Sequence, residues 1–295
     1  MIVTPRPQFT WRLATRSLVL GERTLLAGIL NVTPDSFSDG GQFLSPAAAV
    51  DHGLRLLEEG ADILDIGGES TRPGTRRAVT AGEEMDRVLP VIEQLLRERP
   101  GCLISIDTYK AEVARQAVAA GAEIVNDVSG FLWDPEMAQT CAKLGCGVIL
   151  MHTRGTMAEW KSLPPLPHGT LVSQVIAELQ ARVKTALAAG IVRERLVLDP
   201  GFGFGKRGAE NFVLLAGFDA LHTLGYPLLA GTSRKSFLGG PSMSPGQPPP
   251  DRLAGTLATV TASILAGAHI VRVHDVQACR EAAATADAIR EAAAG

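Results

Sequence analysis

One unit recurs along this chain: an amphipathic helix, a glycine where the helix must stop, then a short apolar run ending in a polar residue. Gly60, Gly121, Gly145, Gly190, Gly225 and Gly267 fill the stop position. The run 25–30 ends at Asn31, 103–106 at Asp107, 124–125 at Asn126, 148–151 at His152, 196–198 at Asp199 and 270–273 at His274. The run 63–66 passes into Gly67-Gly68, and 227–230 leads to Ser233-Arg-Lys-Ser236. Leu196, Val197 and Leu198 form the continuous apolar run expected of a strand covered on both faces. About eight strands alternating with about eight helices predict a parallel (β/α)8 TIM barrel. An open doubly wound sheet would carry a G-x-G-x-x-G turn after its first strand, where this chain has Asn31-Val-Thr-Pro34. Length fits one barrel domain over 1–295. Alternation across 8–26, with Gly21-Glu22-Arg23 as the turn, predicts a leading β-hairpin, and the proline-rich stretch 241–250 reads as a loop.

In a barrel the carboxyl ends of all strands converge on one face, so Asn31, Asp107, Asn126, His152, Asp199, Lys235, Arg272 and His274 are expected to share a mouth. Asp107, Asn126 and Asp199 suit the donor and acceptor edge of a flat, amide-bearing heterocycle. Arg272 can lie on such a ring, and Lys235 offers a compact charge for a ring carbonyl. Asn31, Thr71, Arg72 and His274 suit an anion or a magnesium phosphate. Each has a plainer reading: Asn31 as a turn residue, His152 as a hydrogen-bonded core histidine, Arg72 and Lys235 as solvated charges. His52 and His222 fall on helices and read as packing or surface residues. Gly203-x-Gly205-Lys206 lacks the G-x-x-x-x-G-K-[ST] spacing of a phosphate loop and reads as a close-packed, flexible wall.

A formal net charge of -3, without blocks of like charge, offers no electrostatic surface for nucleic acid or anionic lipid. Cys102, Cys141, Cys146 and Cys279 show no metal-ligand spacing and favour a reduced, cytoplasmic chain. No apolar run is long enough to span a membrane, and no signal peptide opens the chain. The run 253–268 contains no charged residue, although an outer barrel helix should show water a polar face, so a homodimer is expected.

Taken in order, Gly28-Ile-Leu-Asn-Val-Thr-Pro-Asp-Ser-Phe-Ser-Asp-Gly-Gly41, Gly67-Gly-Glu-Ser-Thr-Arg-Pro-Gly74, Ser105-Ile-Asp-Thr108, Asn126-Asp-Val-Ser-Gly130, Asp199-Pro-Gly-Phe-Gly-Phe-Gly-Lys206, Ser233-Arg-Lys-Ser236 and Arg272-Val-His274 closely resemble the dihydropteroate synthase family. The resemblance implies condensation of 6-hydroxymethyl-7,8-dihydropterin diphosphate with p-aminobenzoate by an SN1-like course. It implies a pterin pocket of Asp107, Asn126, Met151, Asp199, Lys235 and Arg272. Diphosphate would fall to Asn31, Thr71, Arg72, Arg272 and His274, with Mg2+ at Asn31. The p-aminobenzoate pocket would comprise Phe37, Thr71, Pro73, Phe204, Lys235 and Ser236. Asp107, Lys235 and Arg272 would carry the catalytic work. The segment 153–158 departs from the family pattern, which continues there with methionine and a glycine-proline run. Two other activities use similar barrels: methyl transfer from methyltetrahydrofolate to a corrinoid protein, and non-catalytic pterin binding. The Ser-Arg-Lys-Ser and Ser-Thr-Arg-Pro-Gly motifs oppose the first, and the intact set of substrate residues opposes the second.

Overall fold

The computed structural model describes residues 3–33, 46–70, 79–160, 162–239 and 252–294. Phe37, Thr71, Arg72, Pro73 and the stretch 241–250 lie outside these described residues. Among the described residues, ten strands are arranged in two sheets. An antiparallel pair, β1 (Phe9–Arg12) and β2 (Ser17–Leu20), precedes eight parallel strands: β3 (Leu25–Asn31), β4 (Ile63–Gly67), β5 (Ile104–Asp107), β6 (Ile124–Asp127), β7 (Gly147–Met151), β8 (Leu196–Asp199), β9 (Leu229–Ala230) and β10 (Ile270–Val273). Their order is β8-β7-β6-β5-β4-β3-β10-β9, and a parallel bridge from Leu198 to Leu228 brings the chain entering β9 back to β8. The expected (β/α)8 barrel is present. Its helices are α1 (Pro46–Glu59), α2 (Ala81–Glu98), α3 (Ala111–Ala119), α4 (Met137–Leu144), α5 (Leu171–Ala188), α6 (Ala209–Ala216), α7 (Leu253–Leu265) and α8 (Val276–Ala294).

The strand period of two sorts each strand into an inward and an outward series. Leu26, Leu30, Leu64, Ile66, Ile104, Ile106, Val125, Val148, Leu150, Leu196, Leu198 and Val271 face the helices and form one continuous core with them. The other series turns inward. At the amino ends it is apolar, with Leu25, Ala27, Ile63, Leu103, Ile124, Ile149, Val197, Leu229 and Ile270 in a second, separate core. Two residues further along each strand, the same inward series supplies Asp65, Ser105, Asn126, Met151, Asp199 and Arg272. The interior therefore changes from hydrocarbon to polar along the barrel axis.

The hairpin closes the hydrocarbon end. Trp11, Leu13 and Leu20 pack into the inner core, and the Trp11 indole N–H donates to the Arg195 carbonyl at 2.9 Å. Gly147 is required beneath it, because a Cβ there would sit 2.6 Å from a Leu13 methyl and 3.2 Å from the Trp11 ring. The hairpin differs in detail from the sequence expectation. Arg12 pairs with Ser17, so the reversal lies at 13–16, where the Leu13 N–H donates to the Arg16 carbonyl at 2.8 Å. Gly21-Glu22-Arg23 instead links the hairpin to β3. Period-two alternation located both strands correctly, but a glycine-containing triplet outweighed a turn made without glycine.

His269, just before β10, is fully buried at this closed end. Its Nδ1 accepts the Leu228 N–H at 3.1 Å, so Nε2 carries the proton and donates to the Pro7 carbonyl at 2.9 Å. A second proton would set one N–H against another, and burial pushes the imidazole down to about 3. The folded state thus favours neutral His269. Its contribution to stability is complete above the unfolded value near ~6.5 and is lost as pH falls from there toward 3. Denaturant unfolding across that window should show a stability loss in the native chain that His269→Gln does not share.

Candidate active site at the barrel mouth

Arg272 lies at the centre of the polar end. On β10 it points inward, and its Nε reaches Asp65 Oδ2 at 2.5 Å while Nη2 reaches Asp107 Oδ2 at 2.5 Å. One guanidinium therefore bridges carboxylates from β4 and β5. Asn126 Nδ2 donates to the same Asp65 oxygen at 3.0 Å, which joins β6 to the bridge. Burial pushes Asp107 up to about 7 against the pull of Arg272, and the neighbouring Asp65 adds to the rise. Gly67 pairs with Asp107 across the sheet, and a Cβ there would make only an ordinary 3.5 Å contact with the Asp107 Cβ.

Asp199 ends β8 beside Met151, its partner in register on β7. Asp199 Oδ1 accepts the Gly201 N–H at 2.7 Å, and burial raises its pKa, opposed chiefly by Lys235. Its other oxygen lies near Gly231, where an added Cβ would come 3.8 Å from both Asp199 Oδ2 and the Arg272 Cβ, an ordinary packing distance. Lys235 reaches in from the loop after β9, donating to the Phe202 carbonyl and resting 4.2 Å from the centre of the Phe204 ring. Burial lowers this ammonium to about 7, although Asp199 favours its charge. Phe204 is held edge-on by Trp160, with ring centres 5.0 Å apart. Ser236 is exposed on the rim.

Asn31 ends β3 and is half-buried, and His274 follows β10. The Ser233 hydroxyl lies 3.0 Å from His274 Nδ1 and accepts the His274 N–H at 3.1 Å, which fixes the ring. Asp107, Asn126, Met151, Asp199, Lys235 and Arg272 thus meet in one mouth, with Phe204 and Ser236 on one wall and Asn31 and His274 on the rim.

His152 does not join them. Following the inward Met151, it turns outward, is fully buried, and meets Glu178 of α5 with 3.0 Å between Nε2 and Oε2. Burial drives the imidazole down to about 4, and the contact holds Glu178 down at about 2. This histidine packs β7 against its helix. Asp65, conversely, carries a central role that the sequence reading passed over. Its signal was a carboxylate inside the apolar run Ile63-Leu64-Asp65-Ile66, at the inward parity.

A second buried ionic group stands behind the site. Lys110 Nζ reaches Glu69 Oε2 at 2.6 Å and also bonds Glu84 of α2, whose residue is 1% exposed. Glu69 Oε1 accepts the Val79 N–H at 3.1 Å, so one carboxylate ties the end of β4 to the start of α2. The capping box of Thr80 and Glu83 fixes that start further.

Fold and mouth together define a (β/α)8 barrel whose interior carboxylates, amide and cations converge at the carboxyl ends of its strands, the face where barrel enzymes carry their sites. The model of a family described as pterin binding enzyme matches residues 27–274. A dihydropteroate synthase of Synechocystis is 45% identical over 269 residues, covering 91% of each chain. Among solved structures, Xanthomonas albilineans dihydropteroate synthase with 4-aminobenzoic acid matches with TM-score 0.84 and 45% identity, covering 97% of this chain and 98% of that one. The Yersinia pestis enzyme in a sulfonamide drug complex matches with TM-score 0.87 and 41% identity, covering 96% and 100%. The chain belongs to the pterin-binding enzymes and, within them, to the dihydropteroate synthases.

Removing Lys110 would leave Glu69 and Glu84 buried side by side without their cation. Lys110→Met should therefore cost about 3–5 kcal/mol in stability, measured by equilibrium denaturant unfolding.

Proposed function

We propose that this mouth joins 6-hydroxymethyl-7,8-dihydropterin diphosphate to p-aminobenzoate, releasing pyrophosphate and leaving 7,8-dihydropteroate. The observation that carries the reading is the convergence of Asp199, Asn126, Asp107, Lys235 and Arg272 on one buried interior in a chain of this family. Asp199 and Asn126 take the aminopyrimidinone edge, Met151 packs beneath the ring, and Lys235 meets its carbonyl. Arg272 covers the ring and reaches the diphosphate. His274 and Asn31, with Thr71 and Arg72, hold that leaving group by charge-assisted hydrogen bonds.

Departure of pyrophosphate leaves positive charge on the pterin methylene and its ring. Asp107, fixed in place by Arg272, stabilises that charge electrostatically and needs little reorganisation to do so. The p-aminobenzoate amine then attacks from a pocket walled by Phe204, Lys235 and Ser236, with Phe37, Thr71 and Pro73. Among the described residues no three of His, Cys, Asp or Glu converge on a common cation position. Magnesium commonly keeps its waters and leans on substrate phosphates, which suits a rim that offers it the single amide oxygen of Asn31. Bound there, it would supply neutralising charge to the leaving diphosphate.

A cytoplasmic homodimer completes the reading. No helix among the described residues is long and apolar enough to cross a membrane. On α7 the exposed positions are Ala254, Ala258 and Ala262, one uncharged stripe that suits close approach of a second copy. Light scattering at micromolar concentration should give twice the chain mass.

The activity is tested by pyrophosphate release, which should require both substrates together with magnesium. Release that ignores p-aminobenzoate would refute the assignment. In Asp199→Asn the amide oxygen must keep the Gly201 N–H, so the amide N–H groups turn toward a ring edge that itself donates. The mismatch should weaken pterin affinity tenfold or more, corresponding to about 1–3 kcal/mol by calorimetry.

A further inference from the structure

The loop joining β8 to α6 turns four of its carbonyls toward cations. Gly201, Gly203 and Gly205 all have φ between +68° and +80°. At two of them a side chain has no room: a Cβ on Gly201 would sit 1.9 Å from the His152 carbonyl oxygen, and one on Gly205 would sit 2.8 Å from that of Arg154. The N–H groups that a phosphate would need are engaged, Gly201 to Asp199, Gly203 to Asn211 and Phe204 to Gly201. Its carbonyls meet cations instead. Lys235 takes Phe202, and Arg154 takes Gly205 at 3.0 Å.

The central cation is Lys206, which is 2% exposed. Its ammonium donates to the carbonyls of Gly201 at 2.8 Å, Phe204 at 3.3 Å and His152 at 3.5 Å, and among the described residues no carboxylate bonds it. Three backbone acceptors thus surround the three donors of one –NH3+ group. Gly201 is the residue that fixes Asp199, while Phe204 carries the aromatic wall beside Lys235. The ammonium therefore spans from the carboxylate end of the loop to its aromatic end.

We infer that Lys206 is a positioning residue for p-aminobenzoate: it acts as an internal strut that sets the Phe204 wall at a fixed distance from Asp199. The inference rests on the condensation proposed above. Lys206 touches neither substrate. Asp199 keeps its own bond from the Gly201 N–H and its place at the end of β8, whereas Phe204 owes its backbone position to the carbonyl cage and to its turn back onto Gly201. Loss of the ammonium should consequently be felt at the aromatic end and much less at the pterin end.

Lys206→Met keeps the length of the side chain and removes its donors. In steady-state condensation assays, KM for p-aminobenzoate should rise at least tenfold while KM for the pterin diphosphate stays within twofold. Asn211→Ala loosens the same loop from outside, because the Asn211 side chain holds both the Gly203 N–H and the Lys206 carbonyl. It should show the same one-sided change to a smaller degree, and it decides the matter if the lysine variant does not fold. Unchanged constants in a folded variant, or an equal rise for both substrates, would overturn the strut. A native chain that fails to join the two substrates sinks the proposed function and this inference together. An active native chain with unsplit variants sinks the strut alone.

Discussion

Everything at the mouth depends on the two-residue period of the barrel strands. A shift of one residue in any strand would send its polar residue into the helix layer and a large aliphatic side chain into the site. The apolar series Leu26, Leu64, Ile104, Val125, Val148, Leu198 and Val271 holds register against the helices. The inward residues are then positioned without local flexibility, so Asp65, Asp107, Asn126 and Arg272 can share hydrogen bonds although they come from four strands. Site geometry here follows from core packing.

The same period explains what could be read from sequence and what could not. The strand ends, their glycine stops and the barrel were legible because each is a local pattern repeated along the chain. The ordered motifs led to the family, and the matched span from 27 to 274 agrees with them. A reading that takes the last polar residue of each apolar run, however, ignores parity. It brought His152 into the mouth, though it is the residue after Met151 and turns toward Glu178. It missed Asp65, which stands two residues before the strand end at the inward parity. Counting alternate residues back from Asp107 and Asn126 through the register would have found both.

Lys206 and Lys110 were illegible for a different reason. A lysine after a glycine-rich loop suggests a solvated charge or a phosphate contact, because nothing in the sequence tells which way the carbonyls point. Direction comes from the left-handed glycines and from the neighbouring loop that carries His152 and Arg154. Lys110 likewise depends on Glu69 and Glu84, which lie far from it in sequence. The segment after β7 supplies Trp160 and Arg154 to the wall of the glycine loop. Long-range polar partners of this kind leave no periodic trace.

The interior holds its charges in opposition, with Asp65, Asp107 and Asp199 set against Arg272, Lys235 and Lys206. Burial shifts members of both groups toward neutrality: Asp107 rises to about 7, while Lys235 and Lys206 fall to about 7. Such a site sits close to a change of protonation at neutral pH, and the charge of whatever enters decides its direction. An anion entering the mouth would favour the protonated lysines. A ring edge with paired N–H donors favours ionised Asp199. The Arg272 bridge ties Asp65 and Asp107 to one guanidinium, so charge added anywhere in the mouth would be felt by carboxylates on two neighbouring strands.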